Sequence, residues 1–141
     1  MQCKKVTSRS LKKAYAAINN RFPEHLEQCR AFLRQKSISA TGEGIVETAG
    51  WVTSLIEELG RKVVLWGNPS FPIVFGRLDT GCPRALIVYD MYDVLPAEES
   101  NWISPPFAAE IHRFPGIGEC VLAWGAVNSK GALCGLFKDK E

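Results

Sequence analysis

The sequence lacks several features that would narrow its function at once. No apolar run is long enough to span a bilayer, and no apolar signal core follows the first methionine. The five cysteines, Cys3, Cys29, Cys82, Cys120 and Cys134, are odd in number, stand far apart and form no CxxC pair. That spacing argues against a disulfide framework or a zinc knuckle and fits free thiols in a reducing cytosol. Only two histidines occur, His25 and His112, and neither has a metal-ligand partner at useful spacing. There is no N-x-S/T acceptor, no internal repeat and no low-complexity tract. The "GIG" at 116–118 lacks the Lys-Ser/Thr step of a phosphate loop and is read as a turn.

What is present is an ordinary globular composition. The chain has 141 residues, 46% apolar and 23% charged, and a domain of that size buries roughly two thirds of its unfolded surface. The net charge of +2 conceals an asymmetry, because Lys4, Lys5, Arg9, Lys12, Lys13 and Arg21 all precede the first acid, Glu24. This leader fits a solvated helical extension better than a transit peptide or a nucleic-acid arm. The remainder is net acidic, so general electrostatics give no case for nucleic-acid binding. The expected boundaries are a basic extension over 1–21 and one domain over 22–141, in the cytoplasm.

Local patterns define the expected elements. Phe22–Pro23 opens a helix carrying Leu26, Cys29 and Leu33, with proline suited to its first turn. "SISATGEG" (37–44) is a loop by composition. A second helix shows Ile45, Ala49, Val52, Ile56 and Leu59 on one face, and Gly60 follows as a C′ glycine. "RKVVLWG" (61–67) and "FPIVFGRL" (71–78) read as strands joined by an Asn-Pro-Ser turn. "RALIVYD" (84–90) is a continuous apolar run, the signature of a strand covered on both faces. "FPGIGE" (114–119) is a hairpin turn, "CVLAWGA" (120–126) a further strand, and "SKGALCGLF" (129–137) the start of a helix. The order predicts an α/β layered domain with its site at the carboxyl ends of strands.

Two motifs carry the functional signal: "LIVYDMYDVLPA" (86–97), followed by Trp102 and "PPF" (105–107), and then "WGAVNSKG" (124–131). In this order they resemble the zinc-dependent aminoacylase and carboxypeptidase family (peptidase family M-twenty). That family includes acetylornithine deacetylase, succinyl-diaminopimelate desuccinylase and carnosinase, and its motifs read roughly "GHYDVxP" and "GRGAxDDKG". The resemblance covers most of residues 20–137. It implies a partial layered α/β/α catalytic domain of zinc-exopeptidase-like fold, acting on a small amide or peptide substrate through two bridged zinc ions.

The resemblance also assigns positions. Met91 stands where the family places its first histidine ligand, and Asp93 matches the aspartate that orients that histidine, making it the candidate catalytic residue. Asn128 stands at the bridging aspartate, Ser129 replaces the acid after it, and Lys130 and Gly131 match the "KG" that follows. A thioether is a soft, neutral ligand suited to copper(I), and a carboxamide does not bridge two cations as a carboxylate does. Two zinc ligands are thus exchanged for neutral groups, while the family's catalytic glutamate, its remaining ligands and its dimerisation domain have no counterpart before Glu141. These residues also have plainer readings. Met91 is expected as a core residue on the strand's buried side, Asp90 as a turn cap, Cys120 and Cys134 as buried thiols, and Trp66, Trp102 and Trp124 as packing residues. Three functional readings remain: an amide-bond hydrolase scaffold that is incomplete as this chain, a non-catalytic interaction module on the same scaffold, and a divergent hydrolase cut short. No membrane or nucleic-acid partner is expected, nor an oligomer through the usual family interface.

Overall fold

The structure, a computed structural model, describes residues 7–77, 81 and 83–136. Lys4, Lys5, Cys3, Leu78, Cys82, Phe137 and Glu141, on which parts of the sequence reading fall, lie outside the described residues. Helix α1 (Ser8–Asn20) opens with a reciprocal cap, the Ser10 amide donating to Thr7 Oγ1 and the Thr7 amide to Ser10 Oγ. None of its residues is buried. Helix α2 (Phe22–Arg34) carries Pro23 in its first turn, as the sequence suggests. Leu33 from the expected stripe is buried, but the wholly buried Phe32 next to it is the centre of the core.

Helix α3 (Ile45–Glu58) buries Ile45, Ala49 and Val52, as their spacing demands, and the Gly60 amide closes its end on the Glu57 carbonyl at 2.7 Å. Trp51 of α3 stacks on Phe32 with ring centroids 4.7 Å apart and planes 10° from parallel. Leu133 and Cys134 of a short helix α4 (Lys130–Leu136) close the same cluster. Burying a ring such as that of Phe32 contributes roughly 1.5–3 kcal/mol before packing is counted.

Two antiparallel hairpins complete the fold. Strands β1 (Lys62–Asn68) and β2 (Phe71–Arg77) pair in register from Lys62↔Arg77 to Asn68↔Phe71. The turn is the expected one, with Asn68 Oδ1 accepting from the Ser70 amide at 2.9 Å. Gly76 on the inner face approaches Ile56 of α3 so closely that a Cβ there would lie 2.4 Å from its Cγ2. On the opposite face Val64, Trp66, Ile73 and Phe75 are all exposed, Trp66 lying flat on Phe75 at 5.1 Å. Strands β3 (Glu110–Phe114) and β4 (Gly118–Leu122) form the second hairpin, which turns through Gly116 as read from the sequence. His112, expected in a loop, lies on β3 because this pairing extends the chain there, and its Nε2 is 3.0 Å from Glu110.

The α/β class holds, but the central strand does not form here. Residues 84–90 run without regular secondary structure, and Leu86 and Ile87 are each 88% exposed. Among the described residues no backbone hydrogen bond is made to Ala85–Tyr89. The sequence marks this run as covered on both faces, but among the described residues no layer covers it. Met91, expected in the core, is likewise 44% exposed, because among the described residues no layer stands opposite the segment that carries it.

Candidate functional site

The two motifs meet at the carboxyl-terminal end of α2. The loop leaving that helix grips the first motif: Ser37 Oγ donates to the Tyr92 carbonyl at 2.7 Å, and the Val94 amide donates to the Ser37 carbonyl at 2.8 Å. The Ser39 amide then donates to the Val94 carbonyl at 3.0 Å, making an isolated parallel bridge between Ile38 and Val94. Tyr92 reaches the other way, its hydroxyl donating to the Pro72 carbonyl on β2 at 2.5 Å. Burial, and then the charge of Asp93, push the Tyr92 phenol above its ordinary pKa.

The second motif docks directly on this loop. Trp124 Nε1 donates to the Leu95 carbonyl at 2.6 Å, while Trp102 meets the Trp124 ring edge-on at 5.6 Å. Gly125 follows at φ 78°, where a Cβ would lie 2.6 Å from Val94 Cγ1 and 2.9 Å from Ser129 Oγ. Gly131 is tighter still: a Cβ there would sit 1.8 Å from the Ala126 carbonyl oxygen. These contacts give the two glycines of the second motif a steric reason, since the turn into α4 leaves no room for a side chain at either.

Lys130, between those glycines' contacts, is wholly buried. Its ammonium donates to the carbonyl of Phe32 in the last turn of α2 and to that of Gln35, the residue capping that helix, and lies 5.1 Å above the Phe32 ring. A cation at a helix carboxyl terminus meets the negative end of its dipole. Burial pushes the Lys130 ammonium down to about 8, against the charges of Cys134 and Asp93, which hold it up. Sequence reasoning matched Lys130 to a motif but missed its place in the core, and only its position between two close-packed glycines hinted at it.

The other candidates are distributed unevenly. Asp93 is half-buried and close enough to Lys130 for its charge to be felt there. Asn128 and Met91 are exposed, and the Met91 amide is taken by Asp90 Oδ1 at 2.8 Å. Ser129 is buried, its hydroxyl donating to the Gly125 carbonyl at 3.4 Å. Cys134 is buried and Cys29 and Cys120 are half-buried. The concavity at the β3–β4 turn is lined by Arg113–Gly118 and by none of the motif residues.

The donor chemistry does not fit a pair of bridged zinc ions. Such a site needs imidazoles, terminal carboxylates and one carboxylate shared by both cations. Among the described residues no three His, Cys, Asp or Glu side chains converge, and Asp93 is the one anion at the three positions the motifs assign. No helix among the described residues is long and apolar enough to cross a membrane.

An α/β domain with two loop motifs clasped at one helix end is thus the class that fold and site define. The chain is similar in both sequence and fold to the M20 family metallo-carboxypeptidase Sso-CP2 from Sulfolobus solfataricus. Identity is 35%, the TM-score is 0.72, and the match covers 81% of this chain. The chain spans a quarter of the length of that carboxypeptidase. This match supports the family resemblance carried by the two motifs. No protein-family model matches the chain, and no curated protein matches it.

Proposed function

We infer that this chain is the amino-terminal part of an amide-bond hydrolase scaffold of the aminoacylase and carboxypeptidase type, and that the polypeptide does not turn over substrate alone. The observation that carries the reading is the clasp of the two motifs on α2, through Val94, Trp124, Gly125 and Lys130, with Met91 and Asn128 in the ligand positions. The scaffold is supported by the structural match, and the absence of turnover by the neutral donors. Within the family, a substrate of the N-acyl amino acid or dipeptide class is the reading; acetylornithine deacetylase, desuccinylase and carnosinase remain equal candidates for the specific relationship.

The test is direct. The purified chain, assayed on N-acyl amino acids and dipeptides with zinc, cobalt or manganese added, is expected to give no hydrolysis. Elemental analysis after purification without chelator is expected to give less than one zinc per chain. Zinc-dependent turnover that Asp93→Ala abolishes would overturn the reading.

A further inference from the structure

Helices α2 and α4 meet in a definite register. Lys130 of α4 donates to the carbonyls of Phe32 and Gln35. One turn further along α4, the Cys134 thiol donates to the Cys29 carbonyl, with its sulfur 4.0 Å away. Residues four apart share a helix face, so Lys130 and Cys134 meet α2 at successive turns. The contact advances along α4 while it runs back along α2, from Gln35 to Cys29. The two helices therefore oppose each other in direction, and Cys29 and Cys134 stand at one level of the pair. Both belong to the Phe32 cluster, Cys134 as a buried member and Cys29 packed against its edge.

Sequence spacing hides this approach, because the two cysteines lie 105 positions apart. A carbonyl oxygen is about 2.4 Å from its own Cα, so the Cys134 sulfur lies within about 6.4 Å of the Cys29 Cα. Bridged cysteines place their Cα atoms roughly 4.4–6.8 Å apart. The pair is unequal in access: Cys29 is half-buried, whereas Cys134 is 7% exposed. Cys120 is also half-buried but lies on β4 of the second hairpin.

We propose that Cys29 and Cys134 are a modification site, a pair that closes to a disulfide with a small disulfide of the glutathione type as oxidant. The more accessible Cys29 reacts first, as its thiolate. It attacks one sulfur of the reagent, forms a mixed disulfide and releases one small thiol. Cys134 gives its proton to solvent and attacks the Cys29 sulfur, expelling the second small thiolate, which takes up a proton. Two electrons pass from the protein pair to the reagent, which leaves as two thiols. The product ties α4, which continues directly from the second motif, to α2 by a covalent bond. The grip on that motif thereby responds to the redox state of the surroundings.

The experiment equilibrates the full chain with reduced and oxidised glutathione at a series of ratios, without metal or oxygen. Acid quenching, alkylation, digestion and mass spectrometry then identify the bridged peptides. A Cys29–Cys134 bridge is expected as the main intramolecular product, reversed by dithiothreitol. Its equilibrium constant should fall by on the order of a hundredfold or more in concentrated guanidinium, where the native register no longer holds the pair together. The bridged chain should melt about 10 °C or more above the reduced one, because the closed loop is long. Cys120→Ser should leave both results unchanged, and Cys29→Ser should remove both. A main bridge through any other cysteine would overturn the proposal. So would equal constants in native and denaturing buffer, or a bridged chain that melts no higher than the reduced one.

Discussion

The ammonium of Lys130 lies 5.1 Å from the centre of the Phe32 ring and donates to the carbonyl of that same residue at 3.5 Å. One side chain of the second motif is thereby held by both the side chain and the backbone of α2. The Lys130–Gly131 step serves the architecture at this point, fixing the motif to a helix end.

That burial sets a pH dependence. Below about pH 8 both the folded and the unfolded chain carry the Lys130 proton. Above it the folded chain releases the proton while the unfolded chain keeps it, up to its ordinary value of 10.5, so the unfolding free energy rises with pH. The rise attributable to Lys130 between pH 8 and pH 10 is about 2 to 3 kcal/mol. Above pH 10 the raised phenol of Tyr92 acts in the opposite sense, because the unfolded chain then loses a proton that the folded chain keeps. Denaturant melts of wild type and Lys130→Met across this range check the expectation: the slope between pH 8 and 10 should flatten in the variant.

Glycine positions separate cleanly by the space around them. Gly131→Ala forces a methyl to within 1.8 Å of the Ala126 carbonyl oxygen and should cost at least about 3 kcal/mol, or abolish folding. Gly50→Ala, on the exposed side of α3 with nothing within 4 Å, should instead stabilise by about 0.5–1 kcal/mol. Thermal melts of the two variants should therefore shift in opposite directions.

Phe32 is the keystone of the larger core cluster, touching Trp51 on α3 and the ammonium on α4. Phe32→Ala removes a wholly buried ring and should destabilise by about 3–5 kcal/mol. A chain this small has roughly 5–15 kcal/mol in all, so a loss of the cooperative transition in circular dichroism is the expected result.

Restoring charge at the motif positions tests the donor argument. Met91→His with Asn128→Asp should tighten zinc binding by roughly tenfold or more, since an imidazole and a carboxylate replace two neutral groups. Hydrolysis should still be undetectable, because the pair supplies no further ligands and no general base. Calorimetric titration with zinc and the dipeptide assay read the two outcomes separately.

Much of the local structure was legible because its causes are local. Pro23, Gly60, the Asn68–Ser70 turn and the Gly116 hairpin each act through the backbone of a few neighbours, and each is where the sequence puts it. The apolar face of α3 was equally plain from spacing. What could not be read was whether a partner exists for a given surface. Residues 85–89 have the composition of a buried strand whether or not layers stand beside them, and Met91 follows their fate. Lys130 failed in the other direction: its residue type argues for solvent, and only the distant carbonyls of Phe32 and Gln35 make its burial tolerable. The motifs themselves were legible as a pair, yet their clasp through Trp124 and Leu95 is a tertiary fact.

The exposed apolar run at 85–89 also governs how long such a chain survives in a cell. An extended, uncovered apolar run between Arg84 and Asp90 fits a protease cleft and a chaperone groove alike, since both accept chain in that conformation. Cleavage there separates α1–α3 and the first hairpin from the second motif and α4 in one cut. The half-life of the polypeptide is therefore set at these few residues, by how often they are accessible rather than by the stability of the core.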